Sequence, residues 1–232
     1  MKPFIPLSIF SAAIFFLSCT SSEIGNSKDV NPSTIYMQYN VSYSEGDDSL
    51  NCILQYRFAG DKGTTLVLTP PSKTEIDGKE ITVDSGFVSG AYYSKNFAAN
   101  NFSGDHVIKF TDINGKTYKE PFSFELFSCK TELPQTIGRK NLLFEFAGSK
   151  NGDIIHVDIS DTASSTGDIE KNVTIRNNQL EISALELKSL SNGPLIIQFY
   201  KKQELPLRHP TEEGGKLTIS NSLKPIETVL TN

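Results

Sequence analysis

Apolar residues recur at every second position through most of this chain, with polar residues filling the gaps. Ile35, Met37, Tyr39, Val41 and Tyr43 form one such stripe, and Leu50, Cys52, Leu54 and Tyr56 form the next. A period of two marks a strand with one face buried and the other wet. The same pattern predicts strands over 65–69, 80–83, 91–94, 107–111 and 117–127. It lapses in the polar stretch from Ser128 to Gln135 and then resumes. The second series runs Leu142/Phe144/Phe146, Ile155/Val157/Ile159, Val173/Ile175, Leu180/Ile182, Leu195/Ile197/Phe199, Leu217/Ile219 and Ile226 to Leu230. Short strands at this spacing, punctuated by Gly, Asp and Pro, predict an all-β protein of two tandem sandwiches, over 34–132 and 133–232.

Several connections carry their own chemistry. Asn114-Gly115 and Asp77-Gly78 each suit the positive φ angles of a two-residue type I′ hairpin turn. Pro121 has no N–H to give a ladder, so the strand around it is expected at a sheet edge or at a bulge. Ser183 followed by Glu186 reads as a capping box opening a short helix, with Ala184, Leu187 and Leu190 on one face, and Asn192-Gly193-Pro194 ends it.

The first 18 residues differ from everything after them. Lys2 is followed by an apolar run of 14 residues from Phe4 to Leu17, then Ser18 and Cys19. The run is shorter than the roughly 18 to 20 residues of a permanent membrane helix and has the layout of a secretory signal. Phe16-Leu17-Ser18-Cys19 resembles the lipobox of bacterial lipoproteins, with Phe16 standing where Leu is usual. The resemblance implies that residues 1–18 are removed and that Cys19 becomes an acylated amino terminus, holding the protein to a membrane through its acyl chains. Residues 19–33 are polar and turn-rich, which predicts a flexible tether. Thr20 stands after Cys19 where Asp would signal inner-membrane retention, so by analogy the outer membrane is the expected address.

Composition narrows the function classes. Removing 18 of 232 residues leaves 214, and with Lys2 gone the formal charge moves from -5 to -6. No block of Lys and Arg is present to follow a phosphate backbone, so nucleic acid is not an expected partner. Besides Cys19 the chain holds Cys52 and Cys129. In an oxidising compartment these two either form a disulfide or stand as separate thiols, and spacing does not decide between the two.

Candidate chemistry is sparse. His106, His156 and His209 are scattered, without the i, i+4 partner or Cys and carboxylate spacing of a zinc site. His156, flanked by Ile155 and Val157, is expected to face away from their core. Asp158, Asp161, Asp168 and Glu170 form an acidic segment that matches no known Ca²⁺ loop and reads as turn chemistry. No nucleophile-elbow, zinc-protease or phosphate-loop motif occurs, so no catalytic residue, metal or cofactor is nominated. One segment is dense in aromatics: Phe87, Tyr92, Tyr93, Phe97 and Phe102, among Ser and Asn. Such rings give contact area at low entropic cost, making this the candidate partner-binding patch.

The lipobox, the polar stretch after it, the D-x-N-G-K turn leading into TYKEPFSFELF, and ISALELKSLSNGPLIIQFY in the second half together resemble the two-domain lipoproteins of Bacteroidota. That resemblance implies immunoglobulin-like β-sandwich domains and a cell-envelope location. The expected function is a non-catalytic binding or scaffolding module. A protein partner is favoured over a glycan, because glycan-binding envelope lipoproteins lean on Trp platforms and this chain has no Trp. An envelope hydrolase with its site at the seam between domains, or a plain spacer, is the alternative. Replacing Cys19 by Ala is expected to abolish incorporation of a fatty-acid analogue fed to cells, and undiminished label would remove the anchor.

Overall fold

Alternating stripes become strands wherever a second sheet is available to cover the apolar face. The computed structural model describes residues 23–86, 88–161 and 168–232, so Cys19, the expected signal segment over 1–18 and Phe87 lie outside the described residues. The first strands are β1 (Ile24–Asn26), β2 (Ile35–Ser44), β3 (Ser49–Phe58), β4 (Thr64–Val67), β5 (Lys73–Ile76), β6 (Lys79–Glu80), β7 (Val83–Gly86), β8 (Gly90–Ala98), β9 (Gly104–Thr111) and β10 (Thr117–Phe124). They are followed by β11 (Ser128–Cys129), β12 (Thr136–Ile137), β13 (Leu142–Ala147), β14 (Ile154–Asp161), β15 (Ile169–Thr174), β16 (Gln179–Ile182), the helix α1 (Ala184–Leu187), β17 (Gly193–Pro206), β18 (Gly215–Ser222) and β19 (Ile226–Leu230).

The protein is an all-β sandwich with two cores. In the first, Met37, Tyr39, Val41, Leu54 and Tyr56 of β2 and β3 pack on Ile76, Ile108, Phe110, Phe122 and Phe124 of a small sheet ordered β10-β9-β5-β6. Tyr56 sits at its centre, with its ring 4.6 Å from Phe110 and its hydroxyl donating to Thr74 Oγ1 at 2.6 Å. In the second, Ile155, Val157, Ile159, Leu195, Ile197 and Phe199 pack on Leu142, Phe144, Phe146, Leu180 and Ile182 of the sheet β11-β13-β16.

One twelve-stranded sheet covers both cores, with a backbone path β1-β4-β3-β2-β18-β17-β14-β15. Its continuity depends on β17, which is 14 residues long and therefore spans roughly 46 Å. The first half of β17 pairs with β14 and β19 in the second sandwich, and Tyr200–Pro206 pairs antiparallel with β18. β18 then runs parallel to β2, from Gly215 beside Met37 to Ser222 beside Ser44. Leu207 and Leu217 are buried in the first core, so that core takes in residues from both sides of position 133. Phe127 and Cys129, conversely, pack with the second.

The returning segment is fastened at several points. Met37 N–H donates to Gly214 O at 3.2 Å, Glu213 N–H to Ser33 O at 3.0 Å, and Thr211 Oγ1 to Ile35 O at 2.6 Å. The buried carboxylate of Glu120 accepts from Arg208 N–H at 2.8 Å. Gly215 is required by close approach, because a Cβ there would lie 2.3 Å from Met37 O.

Three local expectations are met and two are corrected. Asp77 and Gly78 have φ of 50° and 75° between the paired Ile76 and Lys79, as a type I′ turn demands. Ser183 and Glu186 form the reciprocal capping box. β10, carrying Pro121, is the edge of its sheet. At Asn114-Gly115, however, only Gly115 has positive φ. The loop closes instead through Asp112, whose Oδ1 accepts from Asn114 N–H and Lys116 N–H, each at 2.9 Å. The expected flexible tether over 19–33 is also not found over residues 24–33. β1 pairs parallel with β4, Ser27 is buried with its Oγ accepting from Thr69 N–H at 2.8 Å, and Val30 packs on the first core. A polar sequence became ordered because β4 offered its unpaired edge.

Truncating Leu217 to Ala is expected to cost about 2–5 kcal/mol. The urea midpoint of the near-ultraviolet tyrosine signal from Tyr39 and Tyr56 should fall accordingly, and an unmoved midpoint would deny the returning strand its place in the first core.

Candidate functional site: the outer face of the large sheet

Side chains that point away from both cores share one surface, and the strand register sets them in rows. One row runs Asn172, His156, Tyr200, Ser222, Ser44 across β15, β14, β17, β18 and β2. The next runs Lys202, Ser220, Ser42, Asn51, Asn96. A third runs Glu204, Thr218, Asn40, Ile53, Ser94. A fourth runs Pro206, Lys216, Gln38, Gln55. The face is thus dominated by hydroxyls and amides, and it crosses from one sandwich to the other without a break.

Much of it is held in fixed geometry. Asn51 Nδ2 donates to Asn96 Oδ1 at 2.7 Å and to Ser94 Oγ at 3.2 Å. Arg57 donates to Gln55 Oε1 at 3.1 Å, and Gln55 Nε2 in turn donates to Ser89 O at 2.9 Å. The His156 and Tyr200 rings stack with centroids 4.6 Å apart and planes 6° from parallel. Beside them is an open pocket of 360 Å³, lined by Tyr200, Gln198, Lys202, Ser220, Ser222 and Glu45 among others. Burial and then the nearby Asp158 and Glu170 carboxylates push the Tyr200 hydroxyl above its ordinary range. Asp158, paired in register with Glu170 and Gln198, has a buried Oδ1 without a hydrogen-bond partner. Burial, then Glu170, raise its carboxyl above the usual range, and His156 pulls the other way.

The predicted aromatic patch is not assembled. Tyr93 is buried and its hydroxyl accepts from Leu68 N–H at 2.7 Å. Phe102 is buried against His106, with ring centroids 3.8 Å apart, and Phe97 leans on Phe102 at 4.8 Å. Tyr92 alone of the four described rings points outward, donating to Asp84 Oδ2 at 3.2 Å. Period-two alternation is the reason: in β8 Tyr93 and Phe97 pair with Leu54 and Leu50 over the core, whereas Tyr92 takes the opposite side. The residues that do share a face, Tyr36, Gln38, Asn40 and Ser42 among them, were visible in the sequence only as the polar partners of an apolar stripe.

Other candidates are dispersed. His156 faces away from the core as its neighbours predicted, His106 is bonded through Nδ1 to Asp77 at 2.7 Å, and His209 is exposed. Asp161 accepts from Ser191 N–H and Asp168 from Ser160 Oγ, each at 2.7 Å. Among the described residues no group of three or more His, Cys, Asp or Glu is placed to hold a metal ion, and no helix is long and apolar enough to cross a membrane. Cys52 and Cys129 are free thiols, one in each core region, which decides against the disulfide. Burial pushes the Cys52 thiol up to about 12 and raises that of Cys129 as well, so both stay protonated and unreactive at neutral pH.

No family model matches the chain, and no curated protein matches it. Solved structures similar to it include the fibronectin(III)-like modules of Clostridium thermocellum CbhA, at 12% identity over 84% of this chain and 92% of that one, with a TM-score of 0.30. DIP-gamma IG1+IG2 has 9% identity over 81% of this chain and 94% of that one, with a TM-score of 0.23. The Bacteroides ovatus mixed-linkage glucan utilization locus protein SGBP-B has 11% identity over 100% of this chain and 71% of that one, with a TM-score of 0.21. The fold rests on the chain's own strands and cores.

Asp158 gives this face a pH signature. With its folded carboxyl raised above the unfolded one, the folded state holds the proton longer, so its contribution to stability is present at low pH and is lost as pH rises between those two values. Asp158→Asn is expected to remove that component and to be more stable than wild type at pH 7. Parallel urea midpoint–pH curves for the two proteins would refute it.

Proposed function

We propose that the protein is a lipid-anchored cell-envelope module, held in the outer membrane through acylated Cys19, that binds without catalysis by presenting the outer face of its large sheet. The single observation that carries this reading is the unbroken set of register rows from Asn172 to Asn96, which makes one surface of two sandwiches. Antibody-type binding surfaces are polar and use Tyr, Ser and Asn to combine contact area with adaptable hydrogen bonds. Tyr36, Tyr92 and Tyr200 standing among Ser, Asn and Gln have that composition, which supports a protein partner.

The pocket beside Tyr200 supports a second reading, a glycan. A ring with one face stacked on His156, surrounded by Gln198, Ser220 and Ser222, offers hydrogen-bond groups of the kind sugar hydroxyls meet. For a hydrolase the seam between the cores offers less. Its 190 Å³ cavity is lined by Ser123, Phe124, Glu125, Lys150, Asp153, Lys201, Gln203, Ile219 and Asn221, without histidine, and Lys201 Nζ lies 2.5 Å from Asp153 Oδ2.

Crosslinked capture from the native envelope with the mature protein and its Tyr36→Ala/Tyr200→Ala variant separates these readings. Recovery of one protein partner, reduced at least tenfold in a variant that keeps the wild-type urea midpoint, is the expected result. Equal recovery by both proteins would sink the sheet-face reading, and release by soluble oligosaccharide would favour the glycan.

A further inference from the structure

The first described residues, Glu23 and Ile24, lie among exposed apolar side chains. Of the ten large hydrophobic residues that are exposed among the described residues, three belong to this end of the first sandwich: Ile24 at 51%, Phe58 at 40% and Val88 at 86%. Thr65 of β4 joins them. Ile24 pairs with Thr65, and Phe58 pairs with its neighbour Thr64. Thr65 N–H and Oγ1 both donate to Glu23 O, at 3.0 and 2.8 Å. The same Oγ1 accepts from Ala91 N–H at 2.9 Å, at the base of the β7–β8 hairpin whose turn carries Val88. Gly90 permits the approach, since a Cβ there would lie 2.2 Å from Thr65 Oγ1. Gln55 Nε2 holds the turn from the other side through Ser89 O at 2.9 Å. The most exposed apolar residue of the described chain is therefore fastened beside the point where the polypeptide enters the fold.

We infer that this end of the first sandwich, with Val88 at its tip, rests on the lipid surface. The inference depends on acylation of Cys19, because Cys19 precedes Ile24 by five residues and so cannot stand more than about 17 Å from it even fully extended. A leash that short holds Val88, Ile24 and Phe58 within reach of the bilayer. The turn lies at the headgroup level and not in the hydrocarbon, where any backbone N–H or C=O group without a partner is costly. An apolar side chain beside a wet backbone is the composition that the interface accepts.

The chain has no tryptophan, so one introduced Trp reports on its own site. The full-length acylated protein is reconstituted in phosphatidylcholine vesicles with brominated acyl chains, carrying Val88→Trp, Phe58→Trp or, as the remote control, Leu185→Trp in α1. The expected result is blue-shifted emission for the first two, quenched by bromine at least twofold more than the control. Equal quenching at all three sites in acylated protein overturns the inference. So does a blue shift without quenching, which would mean that a protein or a second copy covers the turn. Mature protein that lacks the acyl mass and does not float with vesicles removes the anchor itself, and the inference with it.

Discussion

Everything in this molecule depends on the parallel pairing of β18 with β2. Without it there would be two small sandwiches joined by a linker, each with its own sheet edges exposed. With it, β17 becomes a beam shared by both, and the large sheet has no seam in its hydrogen bonding. The seam appears only beneath the sheet, where Lys201 and Asp153 meet and the Asn221 Oδ1 is left without a partner. Ladder hydrogen bonds thus continue across the junction where apolar packing stops.

Local order was legible in the sequence and long-range pairing was not. Alternation located β2, β3, β9, β10, β13, β14 and β17, since burial of one face imposes its period directly on the residues. Asp77-Gly78, Ser183/Glu186 and Pro121 were readable because each satisfies or refuses particular backbone groups. The type I′ turn at Asn177 and Asn178, with φ of 51° and 60°, was missed because Asn tolerates positive φ without announcing it as Gly does. The return of β18 to the first core could not be read at all: Leu217 and Ile219 alternate identically whichever sheet receives them. For the same reason residues 24–33 passed for a tether, although a neighbour's open edge was enough to order them.

The candidate site shows the other side of that limit. A search for chemistry looks for dense, unusual residues, and Tyr92, Tyr93, Phe97 and Phe102 stood out. Strand geometry divided them, sending Tyr93, Phe97 and Phe102 inward and only Tyr92 outward. The face that emerged is built from ordinary residues on seven strands, each unremarkable alone. Its identity is a property of register, which places Ser222 between Tyr200 and Ser44 from distant parts of the chain.

The contact between Thr211 and Ile35 joins residues 176 positions apart. A chain is synthesised amino terminus first, so β2 leaves the ribosome long before β18 exists to lie beside it. Until then β2 presents an unpaired edge and the first core lacks Leu207 and Leu217. The second sandwich is missing part of β17 and all of β19 for nearly as long. Each core thus draws on strands from beyond residue 200, through Leu207 and Leu217 in the first and Leu230 in the second. During that interval the open strand edge is the feature a holdase chaperone would recognise.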